Sequence, residues 1–164
     1  MSTTDEDFTD WYVALRPRVL RAVTIAVGDR DLAEEATAEA FARALARWPA
    51  GAALDSPVTW LLKVAVNEVR SRWRRGRLER RHLQRLAAEP ERHTPAAEPR
   101  DDALWSAVAA LPERSRQVIA MRYVLDLTEH EIAAALGITR GTVASTLSRA
   151  RQQLATALTH EETS

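Results

Sequence analysis

The 164-residue chain is long enough for one or two small domains with compact cores and too short for one large core. It has no cysteine, which excludes a disulfide framework, a thiolate zinc site and a thiol nucleophile. Its formal charge is zero but unevenly distributed: residues 1–62 carry six Arg against ten acids, residues 63–85 nine Lys or Arg against two, and residues 86–102 two Arg against five. A cationic block flanked by acidic segments is the footprint of a chain that binds a polyanion.

The first residues are acidic, with no apolar run behind a basic start, and no stretch has the unbroken apolar length needed to span a bilayer. A soluble cytoplasmic chain with no membrane role is expected. Strong helix formers dominate and β signals are scarce, so the fold class is all-α.

In chain order, Phe8, Trp11, Tyr12, Leu15, Val19, Ala22, Val23 and Ala26 mark an amphipathic helix from about Thr9 to Val27, closed by Gly28. Pro17 lies inside it, opposite the carbonyl of Val13, and predicts a kink or a break. Asp29 or Asp31 caps a second helix, buried through Leu32, Ala33, Ala36, Ala40, Phe41, Ala44 and Trp48. Its acids Glu34, Glu35 and Glu39 form either a favourable helix-dipole patch or a docking surface.

Residues 49–56 read as a loop, and Ser56-Pro57 as a cap followed by proline in the first helical position. The third helix has Trp60, Leu61, Val64, Ala65, Val69 and Trp73 on its apolar side, then becomes strongly cationic from Arg70 onward. Trp11, Trp48 and Trp60 fall on apolar stripes and read as packing residues. Trp73 stands among arginines, where it suits either a core position or a platform for an unpaired base.

Three prolines between Glu89 and Arg100 mark a flexible linker and hence two domains, residues 1–85 and 102–164, joined by residues 86–101. The second opens at Asp101 or Asp102 with Leu104, Trp105, Val108 and Leu111 on one face. A helix beginning at Pro112 follows, through Val118, Ile119, Arg122 and Tyr123.

The most directly legible stretch is residues 128–151. Thr128 and Glu131 have capping-box spacing, Ile132, Ala133 and Leu136 form a short stripe, and Gly137 supplies a left-handed turn. Thr139 caps a second helix whose inner face is Val143, Leu147, Ala150, Leu154 and Leu158. This is helix-turn-helix spacing, although an ordinary helical hairpin would use the same caps. The outer face favours nucleic acid: Arg140, Thr142, Ser145, Thr146, Arg149 and Gln152 include no carboxylate, as contact with phosphates and base edges requires.

No enzyme chemistry emerges. His82, His93, His130 and His160 are scattered, and Ala134 stands where a zinc-protease helix would need its second histidine. The five glycines are isolated, so there is neither a phosphate-cradling loop nor a nucleophile elbow. Neither metal nor cofactor is expected.

In their order and spacing the segments resemble a bacterial RNA polymerase sigma factor of the extracytoplasmic-function group, which keeps sigma regions two and four. The residues that carry the likeness are Ala33-Glu34-Glu35 with Glu39, Ala40 and Phe41, then Thr59-Trp60-Leu61 with Val64-Ala65-Val66-Asn67. They continue through Ala110-Leu111-Pro112-Glu113-Arg114 to Arg122-Tyr123, then Glu131-Ile132-Ala133, Leu136-Gly137-Ile138, Gly141-Thr142-Val143 and Leu147-Ser148-Arg149-Ala150-Arg151.

The resemblance implies two small helical domains, the C-terminal one a helix-turn-helix (winged-helix-like) unit. It implies docking on core RNA polymerase through Glu35 and Glu39, and capture of the melted minus-ten strand by Asn67, Arg70, Arg72, Trp73, Arg74, Arg75 and Arg77. Arg140, Thr142, Ser145, Thr146 and Arg149 would read the minus-thirty-five duplex. Its partners would be core polymerase and promoter DNA, with an anti-sigma protein as a further candidate. The chain departs from the family at Ala36 and Ala38, where Leu and Gln are frequent, and at Ala144 and Thr146, where Lys and Arg are common. A stand-alone regulator binding palindromic half-sites, or a helical adaptor for an acidic partner, are the alternative functions.

Overall fold

A computed structural model describes residues 3–48, 54–84 and 102–161. These form seven helices and, among the described residues, no strand: α1 (Thr3–Val27), α2 (Arg30–Leu45), α3 (Pro57–Gln84), α4 (Asp102–Ala109), α5 (Glu113–Tyr123), α6 (Glu129–Leu136) and α7 (Arg140–Glu161). The C-terminal unit is therefore a helix-turn-helix unit without the β-strands of a wing among its described residues, which corrects the expected winged-helix-like character. The expected linker, residues 86–101, and residues 49–53 of the expected loop lie outside the described residues.

α1 starts earlier than the expected Thr9 and runs unbroken through Pro17, where a kink or break was predicted. The carbonyl that loses its partner belongs to Val13, a residue that is 64% exposed, so water can satisfy it. Gly28 adopts φ +78°, the left-handed conformation that closes the helix. Asp29, not Asp31, caps α2 by accepting from the Leu32 amide at 3.0 Å. α3 begins at Pro57 as expected, with the Ser56 and Thr59 hydroxyls 2.7 Å apart.

The three N-terminal helices pack through small residues, with Ala22, Ala26, Ala33, Ala36, Ala40 and Ala65 fully buried, so backbones approach closely. Aromatic rings fill one end: Tyr12 and Trp11 meet the edge of Phe41 at 4.8 and 5.6 Å, and Phe8 meets Trp48 at 5.2 Å. Trp48 lies in the turn that follows α2 and packs from there on Phe8 and Trp11.

The buried cluster does not stop at residue 85. It continues through Leu111, Val118, Ile119, Met121 and Leu125 to Ile132, Val143, Leu147 and Ala150, with α5 packed on α1 and α7 gathering α4, α5 and α6. Two arginines join the halves reciprocally. Arg18 of α1 donates to the carbonyls of Val124 (3.0 Å) and Leu125 (2.8 Å) at the end of α5, and meets Asp126 at 3.3 Å. Arg116 of α5 donates to Ala26 and Val27, both at 3.3 Å, at the end of α1, and to Ala109 (3.2 Å) and Leu111 (2.6 Å) after α4. Each guanidinium satisfies carbonyls that a helix C-terminus leaves without partners. Burial lowers the Arg116 pKa, but an arginine starts high enough to stay charged.

Candidate nucleic-acid interface

α3 carries three distinct faces. Leu62, Val66, Val69 and Trp73 recur at steps of four, three and four and point inward. Trp73 thus continues the core stripe: it is half-buried beside Ala26, Val27 and Glu113, and this conformation does not offer it as a stacking platform for a base.

Lys63, Asn67, Arg70, Arg74 and Arg77 share a second face by the same helical spacing. Lys63, Asn67, Arg74 and Arg77 are exposed, and none of the three cations among these four has a charged partner among the described residues. Arg70 is half-buried and meets Glu113 of α5 at 2.5 Å. Lys63, Asn67 and Arg70 line one wall of a groove of about 390 Å³, whose other wall is Arg114, Gln117 and the end of α6.

The third face turns toward α2. Glu68, with its side chain only 12% exposed, accepts from Arg43 at 2.7 Å, Arg72 at 3.3 Å and Arg75 at 3.4 Å. Arg43 also meets Glu39 at 2.9 Å, and Arg72 also donates to Glu35. Burial pushes the Glu68 carboxyl up, but the hydrogen bonds from Arg72 and Arg43 outweigh it and hold the group below the usual carboxylate range. Bonds to these carboxylates raise the pKa of both Arg43 and Arg72, first to Glu39 and Glu35 respectively and then to Glu68. The two acids expected to dock a partner and two arginines expected to hold a strand are therefore members of one network.

At the C-terminal end the hairpin forms as its sequence dictates. The Thr128 amide donates to the Glu131 carboxylate at 2.7 Å and the Glu131 amide donates to the Thr128 hydroxyl at 3.2 Å; the bonds that the Thr128 amide and then its hydroxyl (2.8 Å) give to the carboxylate lower the Glu131 pKa. Gly137 is left-handed at φ +64°, and the Thr139 hydroxyl caps α7 by accepting from Thr142 at 3.1 Å. Val143, Leu147 and Ala150 are buried, whereas Arg140, Thr142, Ser145 and Arg149 are exposed along the opposite side.

Thr146 was expected on the outer face and is corrected by the structure. It is 6% exposed, because three residues past Val143 it falls on the flank of the buried stripe. Arg140 has a neighbour that the helix's own face did not reveal: Glu129 of α6 lies 3.6 Å from its guanidinium. Sequence reasoning also missed Lys63, Glu68, Arg18 and Arg116. Spacing along α3 was enough to find Lys63, whereas Arg18 and Arg116 find partners about a hundred residues away.

Residues 11–79 match the family model described as Sigma-70 region 2, and residues 101–154 that described as Sigma-70, region 4. RNA polymerase sigma-E factor of Streptomyces antibioticus is 30% identical over 141 residues, covering 83% of this chain and 76% of the relative. That of Streptomyces coelicolor is 28% identical over 153 residues, or 90% and 84%. The chain belongs to the sigma-70 family. Regions 2 and 4 place this sigma factor in the extracytoplasmic-function group.

Its fold is shared with the sigma factor RpoE of Bartonella quintana, solved in complex with the anti-sigma factor NepR. The TM-score is 0.75 at 22% identity, covering 94% of this chain and 98% of that one. In the sigma factor described here, α2 and most of α3 lie within region 2, while α5, α6 and the first part of α7 lie within region 4.

Proposed function

We propose that this sigma factor divides its work among three surfaces. As a member of its family it binds core RNA polymerase, recognises promoter DNA and starts transcription. The α2 acids Glu35 and Glu39 dock on core. The Lys63, Asn67, Arg70, Arg74 and Arg77 face tracks the melted minus-ten strand, since a single strand needs a cationic track for its phosphates. Arg72 and Arg75, on the flank, are held by carboxylates until the strand arrives. Arg140, Thr142, Ser145 and Arg149 enter the major groove of the minus-thirty-five element.

One observation carries this reading: from Arg140 to Thr159 the exposed side of α7 offers guanidinium, hydroxyl and amide groups but no carboxylate, while Val143, Leu147 and Ala150 on its other side are sealed in the core. Residues 1–85 and 102–164 serve as the two functional units, in keeping with the two matched regions. The factor works in the cytoplasm, where polymerase and chromosome meet, and contributes binding energy and no catalytic step of its own. An anti-sigma protein is a further partner, supported by the related complex and by the groove between α3 and α6.

A gel shift with promoter DNA, with and without core polymerase, tests this function. A shift that requires core is expected. A shift by the chain alone would make it a stand-alone regulator, and none under either condition would make it an adaptor.

A further inference from the structure

The ion-pair network between α2 and α3 links two surfaces assigned to different partners. Glu35 lies on the docking helix with its side chain 62% exposed, and its carboxylate accepts from Arg72, whose guanidinium also meets the far less exposed Glu68. A guanidinium is a fork with five donors, able to bridge two carboxylates or to turn one edge to a phosphate. Glu68 is anchored independently by Arg43 and Arg75, so it stays in place whatever Arg72 does.

We propose that Arg72 is a positioning residue for docking, shared between Glu35 and the promoter strand, so that strand capture and core binding reinforce each other through one side chain. This rests on the assignment of Glu35 to the polymerase and of the arginine stretch to the strand. While Arg72 neutralises Glu35, the acid is a weaker partner for a cationic patch on core. When a backbone phosphate draws Arg72 away, Glu35 presents its full charge to core. Conversely, core contact with Glu35 frees Arg72 for the phosphate. The coupling is reciprocal, as any linkage of two binding equilibria must be. Glu68 keeps Arg72 from leaving the surface in either state.

The arrangement predicts an effect of unexpected sign: deleting a cation from the DNA-binding helix should improve binding to polymerase. The test is the dissociation constant of the full chain for core RNA polymerase in the absence of DNA, for Arg72→Gln, Glu35→Gln and the double variant. Arg72→Gln is expected to tighten binding about two- to fivefold, the range of an exposed ion pair, and to have no effect once Glu35 is Gln. Arg72→Lys, which keeps the charge but loses the fork, should tighten binding by less. A cooperative thermal transition within a few degrees of wild type establishes that the fold is intact: Glu35 is exposed, and the loss of half-buried Arg72 leaves Glu68 its bonds to Arg43 and Arg75.

Unchanged or weaker binding by Arg72→Gln, or equal tightening in both Glu35 backgrounds, overturns the proposal. Failure of the underlying assignment looks different. Glu35→Gln alone would then leave core binding at the wild-type value, or Arg72→Gln holoenzyme would hold a minus-ten single strand as tightly as wild type.

Discussion

Arg140 and Arg149 have the same functional group and different surroundings, and their roles should separate accordingly. Arg140 stands in the first turn of α7, the part of a recognition helix that penetrates the groove, and Glu129 lies 3.6 Å away to limit its directions. Arg149 is more than two turns further on and donates at 3.3 Å to the Ser145 carbonyl, which holds its guanidinium against the helix surface. An arginine bidentate to guanine discriminates by roughly 1–3 kcal/mol, whereas a phosphate contact weakens all sequences alike. Arg140→Ala should therefore relax preference at one position of the minus-thirty-five element. Arg149→Ala should lower affinity uniformly and flatten its salt dependence. Competition between single-base variants of the element, with holoenzyme at two salt concentrations, measures both. Equal, sequence-independent losses would move base reading to Ser145 and Thr142.

Among the helices, legibility followed the range of the interactions. Caps and turns are readable because they act within three or four residues: the Thr128–Glu131 box, the left-handed Gly137 and the start of α3 at Pro57 all form as expected, although the Ser56 hydroxyl meets that of Thr59. By composition alone, without helical phase, the basic stretch of α3 is one track. Resolved by helical spacing, it splits into the Lys63-to-Arg77 face and the Glu68, Arg72 and Arg75 face, and Trp73 falls on neither. Thr146 was misplaced for the same reason, one position inside the edge of a stripe.

The buried hub of the second face gives a prediction at this scale. Glu68→Gln should cost about 1–2 kcal/mol at neutral pH, because three guanidinium groups lose a shared charge while two of them keep other carboxylates. For a chain of this length that is roughly 2–8 °C in thermal midpoint. Since the folded protein holds the Glu68 pKa below its ordinary 4.5, the stabilisation is complete above that pH and is lost as pH falls through the lower folded value. The gap between wild type and Glu68→Gln should therefore close in acid. A gap that persisted unchanged to low pH would mean that shape, not charge, holds α2 to α3.

At the scale of the whole molecule, the packing of α5 on α1 sets a condition on function. A single packed body of this length has a radius of gyration of about 15 Å. The two promoter elements are separated by roughly 25 base pairs, or about 85 Å of duplex at 3.4 Å per pair. The state in which Arg18 and Arg116 bridge the halves therefore cannot hold both elements at once, and in it Arg70 is also committed to Glu113. If the two halves bind the two elements as proposed, promoter engagement requires these contacts to break, and their cost is subtracted from DNA affinity in proportion to how fully the closed state is populated. Arg18 is the better probe, because Arg116 also caps the end of α4 and its loss would disturb region 4 itself. Arg18→Ala should increase the radius of gyration in solution scattering by several ångströms and speed assembly of holoenzyme on a promoter. Raising salt should move wild type in the same direction, since Asp126 and Glu113 are screened partners. If Arg18→Ala scattered like wild type and assembled no faster, apolar contacts between α1 and α5 alone would account for the closed state, and the arginine would serve only as a cap for α5.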